Sequence, residues 1–66
     1  MRGELEHPER VIVDALVAGE SYDTIAKRLE LTPSMVKMRL LRLRERFGCH
    51  STPQLIAELF RQRLLR

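Results

Sequence analysis

Apolar residues recur with helical spacing in four stretches of this chain, and short gaps marked by glycine, serine, threonine or proline divide them. The first helix is expected over Pro8 to Ala18, where Ile12, Ala15 and Leu16 fall at i, i+3 and i+4 and Val11 and Val13 widen the apolar face. Proline suits a first helical turn because its missing N–H would have no partner there. Gly19 supplies the left-handed residue that closes many helices. A second helix, Tyr22 to Leu29, begins behind Ser21 as N-cap and carries Tyr22, Ile25, Ala26 and Leu29 on one side. Thr32-Pro33 opens a third, about 33–47, whose residues Val36, Leu40, Leu43 and Phe47 form a single stripe ended by Gly48. Thr52-Pro53 repeats that start signal for a fourth, Pro53 to Leu65, with Leu55, Ile56, Leu59, Phe60 and Leu64 apolar. No stretch alternates as a strand would, and no repeat or linker interrupts the pattern. The expected fold is all-α, with a short flexible arm at residues 1–6 and one helical domain at 7–66.

Size and composition narrow the chemistry. A 66-residue domain buries only ~60% of the surface its unfolded chain exposes, which leaves little room for a catalytic pocket. Cys49 is the single cysteine, so no internal disulfide forms, and with His7 and His50 it cannot complete a four-ligand zinc site. Ser21, Ser34 and Ser51 sit where caps and turns need them, not beside a general base. There is no glycine-rich phosphate loop. These features exclude an enzyme and call for no metal or cofactor. No apolar run approaches the ~20 residues that span a bilayer, and Met-Arg-Gly-Glu-Leu-Glu-His-Pro lacks the apolar stretch of a signal peptide. A cytoplasmic protein without membrane contact is expected.

Charge adds a direction. Residues 1–33 hold four Lys/Arg against seven Asp/Glu, whereas residues 34–66 hold eight against two. A basic second half points to a polyanionic partner such as a nucleic acid, the alternative being a solvated helix face rich in arginine. The second and third helices give that idea a geometry. Only Glu30 and Leu31 separate Leu29 from the Thr32 cap, and so short a turn makes the helices cross steeply. Ala26 is small enough for the close approach, and Leu31 and Val36 close the wedge. Helix, short turn and helix in this register form the DNA-binding helix-turn-helix pattern.

On the third helix, Ser34, Lys37, Met38 and Leu41 lie away from the apolar stripe and are expected to face the major groove. Lys37 can donate to guanine O6 or N7, or to a phosphate. Met38 and Leu41 can pack against thymine methyl groups. Arg42 and Arg46 are expected at phosphates, and Thr32 and Ser34, with the free N–H groups of the helix start, at another. Arg44 lies nearer the flank, and Arg39 is placed to pair with an acid on the first or second helix.

These residues resemble a known family. The run Gly19-Glu20-Ser21-Tyr22-Asp23-Thr24-Ile25-Ala26-Lys27-Arg28-Leu29 is similar to the G-x-S-x-x-x-I-A-x-x-L segment of LuxR/GerE-type domains. Leu31-Thr32-Pro33-Ser34-Met35-Val36-Lys37 resembles their I-S-x-x-T-V-K entry to the recognition helix, and Arg46-Phe47-Gly48-Cys49-His50-Ser51 their K-L-G-V-x-S exit. Leu5 and Glu9 also fall where the family has leucine and glutamate. The resemblance implies a four-helix domain that regulates transcription by reading the major groove with its third helix, as a dimer on repeated half-sites. It implies a short stand-alone member of the GerE kind, or else a domain cut from a longer chain. It also implies that Cys49, at a position usually held by a small buried hydrophobe, is a packed thiol. The sequence departs from the pattern at Glu20, Met35, Arg39 and Leu41, where the family commonly has a hydrophobe, threonine, histidine and a polar residue.

The fourth helix is too apolar for a lone small domain to cover easily. Leu55 and Leu59 are the expected contact of a homodimer, the alternative being that both complete the core of the single chain. Met38 and Leu41 also leave a second function open, a module on the same fold that binds RNA polymerase or another regulator.

Overall fold

A computed structural model describes residues 4–65. These form four helices: α1 (His7–Val17), α2 (Tyr22–Leu29), α3 (Pro33–Arg46) and α4 (Thr52–Arg61), with no strand among the described residues. The all-α helix-turn-helix expectation therefore holds. Each of the last three helices starts on a hydroxyl cap. Ser21 Oγ accepts from Thr24 N at 3.2 Å, Thr32 Oγ1 from Met35 N at 3.1 Å, and Ser51 Oγ from Gln54 N at 3.2 Å. The cap of α4 is thus Ser51, one residue ahead of the expected Thr52.

Every helix also ends the same way. Two or three residues past the last helical residue, an N–H reaches back to a carbonyl five residues earlier: Glu20 to Ala15, Leu31 to Ala26, Cys49 to Arg44 and Leu64 to Leu59, all at 2.8–2.9 Å. This closure needs a left-handed residue at the turn. Gly19 (φ +85°) and Gly48 (φ +70°) provide it after α1 and α3. After α2 and α4 it is supplied by Glu30 (φ +57°) and Arg63 (φ +61°). A side chain in that conformation costs about 1–2 kcal/mol. The Glu30 side chain is exposed, so Glu30→Gly should stabilise the domain. After allowing for the freedom glycine gains in the unfolded chain, a gain of about 0.5–1 kcal/mol is expected, read as a rise of a few degrees in a thermal melt. An unchanged or lower melting temperature would contradict the closure described for α2.

The Arg63 turn makes α4 shorter than the expected Pro53 to Leu65. Past it the chain folds back, Leu65 is buried, and Arg10 Nη1 on α1 donates to the Leu64 carbonyl at 2.9 Å. At the other end, residues 1–3 of the expected arm lie outside the described residues. Leu5 packs half-buried against the core, and Glu6 N donates to Glu9 Oε1 at 2.8 Å across the first turn of α1.

The core draws on all four helices: Ile12, Val13 and Ala15 from α1, Ile25 and Ala26 from α2, Val36, Leu40 and Leu43 from α3, and Leu55 and Leu59 from α4, with Phe47 and Cys49 beside them. Ala26 is buried where α2 passes α3, and Leu31 packs half-buried in the turn, as the short connection requires. The Cys49 thiol is enclosed, with Sγ 3.6 Å from the Phe47 carbonyl. Leu55 and Leu59 have no exposed surface at all. Contrary to the dimer-contact expectation, they complete the core of the single chain, because the inward stripe of α4 is the one that covers α3. The large apolar side chain that α4 leaves open is Phe60.

Candidate nucleic-acid interface

The buried stripe of α3 fixes which side chains it presents. A helix turns about 100° per residue. With Val36, Leu40 and Leu43 inward, the outer half must carry Ser34, Met35, Met38, Leu41, Arg42 and Glu45, and all six are exposed. Lys37 and Arg39 border this face on opposite sides. The sequence expectation for Ser34, Lys37, Met38, Leu41 and Arg42 therefore places five residues on one continuous exposed surface. Thr32 stands at its entrance as the helix cap. Met35, which spacing alone did not single out, joins them: it is 46% exposed, against 48% for Met38 and 42% for Leu41.

Cations surround these three apolar side chains. Lys37 Nζ sits over the Tyr22 ring of α2, 5.3 Å from its centre, a cation–π contact that holds the ammonium at the α2 edge of the face. On the opposite side Arg39 and Arg42 line an open groove between α3 and the start of α1, with Glu6 and Glu9 on its far wall. Among the described residues neither Arg39 nor Arg42 makes an ion pair, so the expected partner for Arg39 on α1 or α2 is not engaged.

Arg46 is placed differently from the phosphate-contacting role expected for it. Its Nη1 and Nη2 grip Glu9 at 3.0 and 3.1 Å, and Nη2 also donates to the Glu4 carbonyl at 2.6 Å. The Glu9 carboxylate thus joins the end of α3 to the start of α1 while accepting the Glu6 N–H. The pair spans 37 residues of sequence, a separation that local spacing cannot foresee. Arg44 likewise donates to the His50 carbonyl and closes the turn into α4. Glu20 pairs with Arg28 at 2.6 Å. Arg46→Ala is therefore expected to lower stability by about 1 kcal/mol, the range of a partly exposed charged contact, in a chemical denaturation curve. A variant as stable as the parent would assign no structural weight to the pair.

No group of three or more His, Cys, Asp or Glu is gathered as for a metal among the described residues, and none of their helices is long and apolar enough to cross a membrane.

Over 57 residues the chain is 39% identical to a protein described as "Probable transcriptional regulatory protein NarL" from Mycobacterium tuberculosis, in strain CDC 1551 / Oshkosh and equally in strain ATCC 25618 / H37Rv. The match takes in 86% of this chain and 26% of that protein, so the chain spans about a quarter of the length of the curated relatives it matches. No protein-family model matches the chain, and no solved structure does either.

Proposed function

We propose that this chain is a sequence-specific, duplex-DNA-binding unit of a transcription regulator, of LuxR/GerE type, and that α3 enters the major groove. The observation that carries this reading is the outer face of α3, where exposed Lys37, Arg39 and Arg42 border an uncovered surface on the second helix of a helix-turn-helix. In that pose Thr32, Ser34 and the N–H groups of the α3 start meet one phosphate, Arg42 another, and Lys37 a guanine edge or a phosphate. Arg46 supports the pose from within by holding α1 against α3. The similarity to a transcriptional regulatory protein supports the same reading. Two copies on repeated half-sites in a cytoplasmic setting belong to the proposal, with Phe60, exposed on α4, as the side chain offered to the second copy.

The test is binding of the chain to mixed-sequence duplex DNA at several salt concentrations. Affinity that falls steeply with salt, by about 0.9 log units per log unit of salt for each phosphate engaged, is the expected result. Negligible binding at low salt by the folded chain would overturn the proposal. It would favour the second reading, in which Met35, Met38 and Leu41 meet RNA polymerase or another regulator.

A further inference from the structure

We infer that the outer face of α3 reads the 5-methyl group of pyrimidines, so that the domain distinguishes thymine from uracil and 5-methylcytosine from cytosine. This rests on the DNA-binding reading above and adds what is read. Met35, Met38 and Leu41 follow one another at i, i+3 and i+6, all more than 40% exposed, with Met35 and Met38 opening onto the groove that Glu6 and Glu9 wall on its far side. Successive members are offset by ~60° around α3 and ~4.5 Å along it. The stripe is thus ~9 Å long, close to three base-pair steps. None of the three side chains can donate a hydrogen bond or carry a charge, and a methionine sulfur accepts only weakly, so they make poor use of the donors and acceptors that otherwise identify a base pair in the major groove. The one apolar feature there is the methyl on C5 of thymine, and a methylated cytosine carries the same group at the same place. Lys37 and Arg39 on the borders, and Arg42 at the C-terminal end of the stripe, place positive charge where the phosphate rows flank a groove. A duplex therefore matches the face in charge as well as in shape.

The experiment compares alternating poly(dA-dT) with poly(dA-dU) duplex, which differ only by that methyl, and poly(dI-dC) with its 5-methylcytosine form. Covering one methyl is worth about fourfold in affinity, so two methyls covered per site should make the uracil polymer about tenfold weaker or more. The methylated cytosine polymer should bind more tightly than its parent by a similar ratio. Met38→Ala and Leu41→Ala change exposed side chains and leave the core untouched. They should bring the thymine-to-uracil ratio toward one while keeping the slope of affinity against salt. Equal affinity of the parent chain for both members of each pair would overturn the methyl reading and leave DNA binding standing. No binding to any of the four polymers at low salt would overturn both.

Discussion

Leu55→Ala is expected to unfold a large share of the population at 37 °C. Leu55 is wholly buried in the core shared by the four helices. Cutting such a leucine to alanine costs about 2–5 kcal/mol through lost burial and the cavity left behind. A chain of 66 residues holds a total stability of roughly 3–10 kcal/mol at ordinary values per residue. The loss is comparable to the whole, and the melting temperature should fall by at least about 10 °C. Circular dichroism at 222 nm followed with temperature, at two protein concentrations tenfold apart, makes the measurement. The fall should be the same at both. A variant that keeps its melting temperature but loses self-association would instead return Leu55 to a subunit interface.

The second large effect concerns the face of α3, and it separates residues of like charge by their surroundings. Arg42→Ala should weaken binding to every duplex alike and lower the salt slope by about one, as the loss of a phosphate contact does. If Lys37 meets a guanine edge, as proposed, and not a phosphate, Lys37→Ala should cost about 1–3 kcal/mol on a selected site and much less on random sequence. Arg46→Ala should leave the salt slope unchanged, since its guanidinium is engaged by Glu9 and the Glu4 carbonyl. If all three variants shift affinity and slope equally, binding is diffuse attraction to a basic surface. If Lys37→Ala and Arg42→Ala both bind as the parent does, the face has been assigned wrongly.

What the sequence made legible was whatever local chemistry decides. Ser21 and Thr32 announced their helices because a hydroxyl at the cap is the cheapest partner for a free N–H. Gly19 and Gly48 announced two ends because glycine alone takes the left-handed turn without strain. The four-residue and three-residue steps from Val36 to Phe47 fixed the inward side of α3, and with it most of the candidate interface. Features set by distant parts of the chain were not legible. Glu30 and Arg63 adopt the left-handed turns that close α2 and α4, and nothing in a glutamate or an arginine advertises that. Arg46 looked like another outward cation until Glu9 came within reach. Leu55 and Leu59 could not be divided between core and partner by pattern, because an apolar stripe fits either; only packing against the other three helices decides.

The Glu9–Arg46 bridge, the Ser21 and Ser51 caps and the backbone closures at the helix ends use none of the exposed side chains on the outer face of α3. Among the described residues, the side chains of Ser34, Met35, Met38, Arg39, Leu41 and Arg42 take part in no hydrogen bond or ion pair. Substitutions at such positions shift stability by only about half a kcal/mol. Under the proposed DNA-binding reading, the domain could therefore be retargeted by changing these residues while its scaffold stays as it is. Related chains sharing this scaffold can diverge in what they recognise without any intermediate that fails to fold.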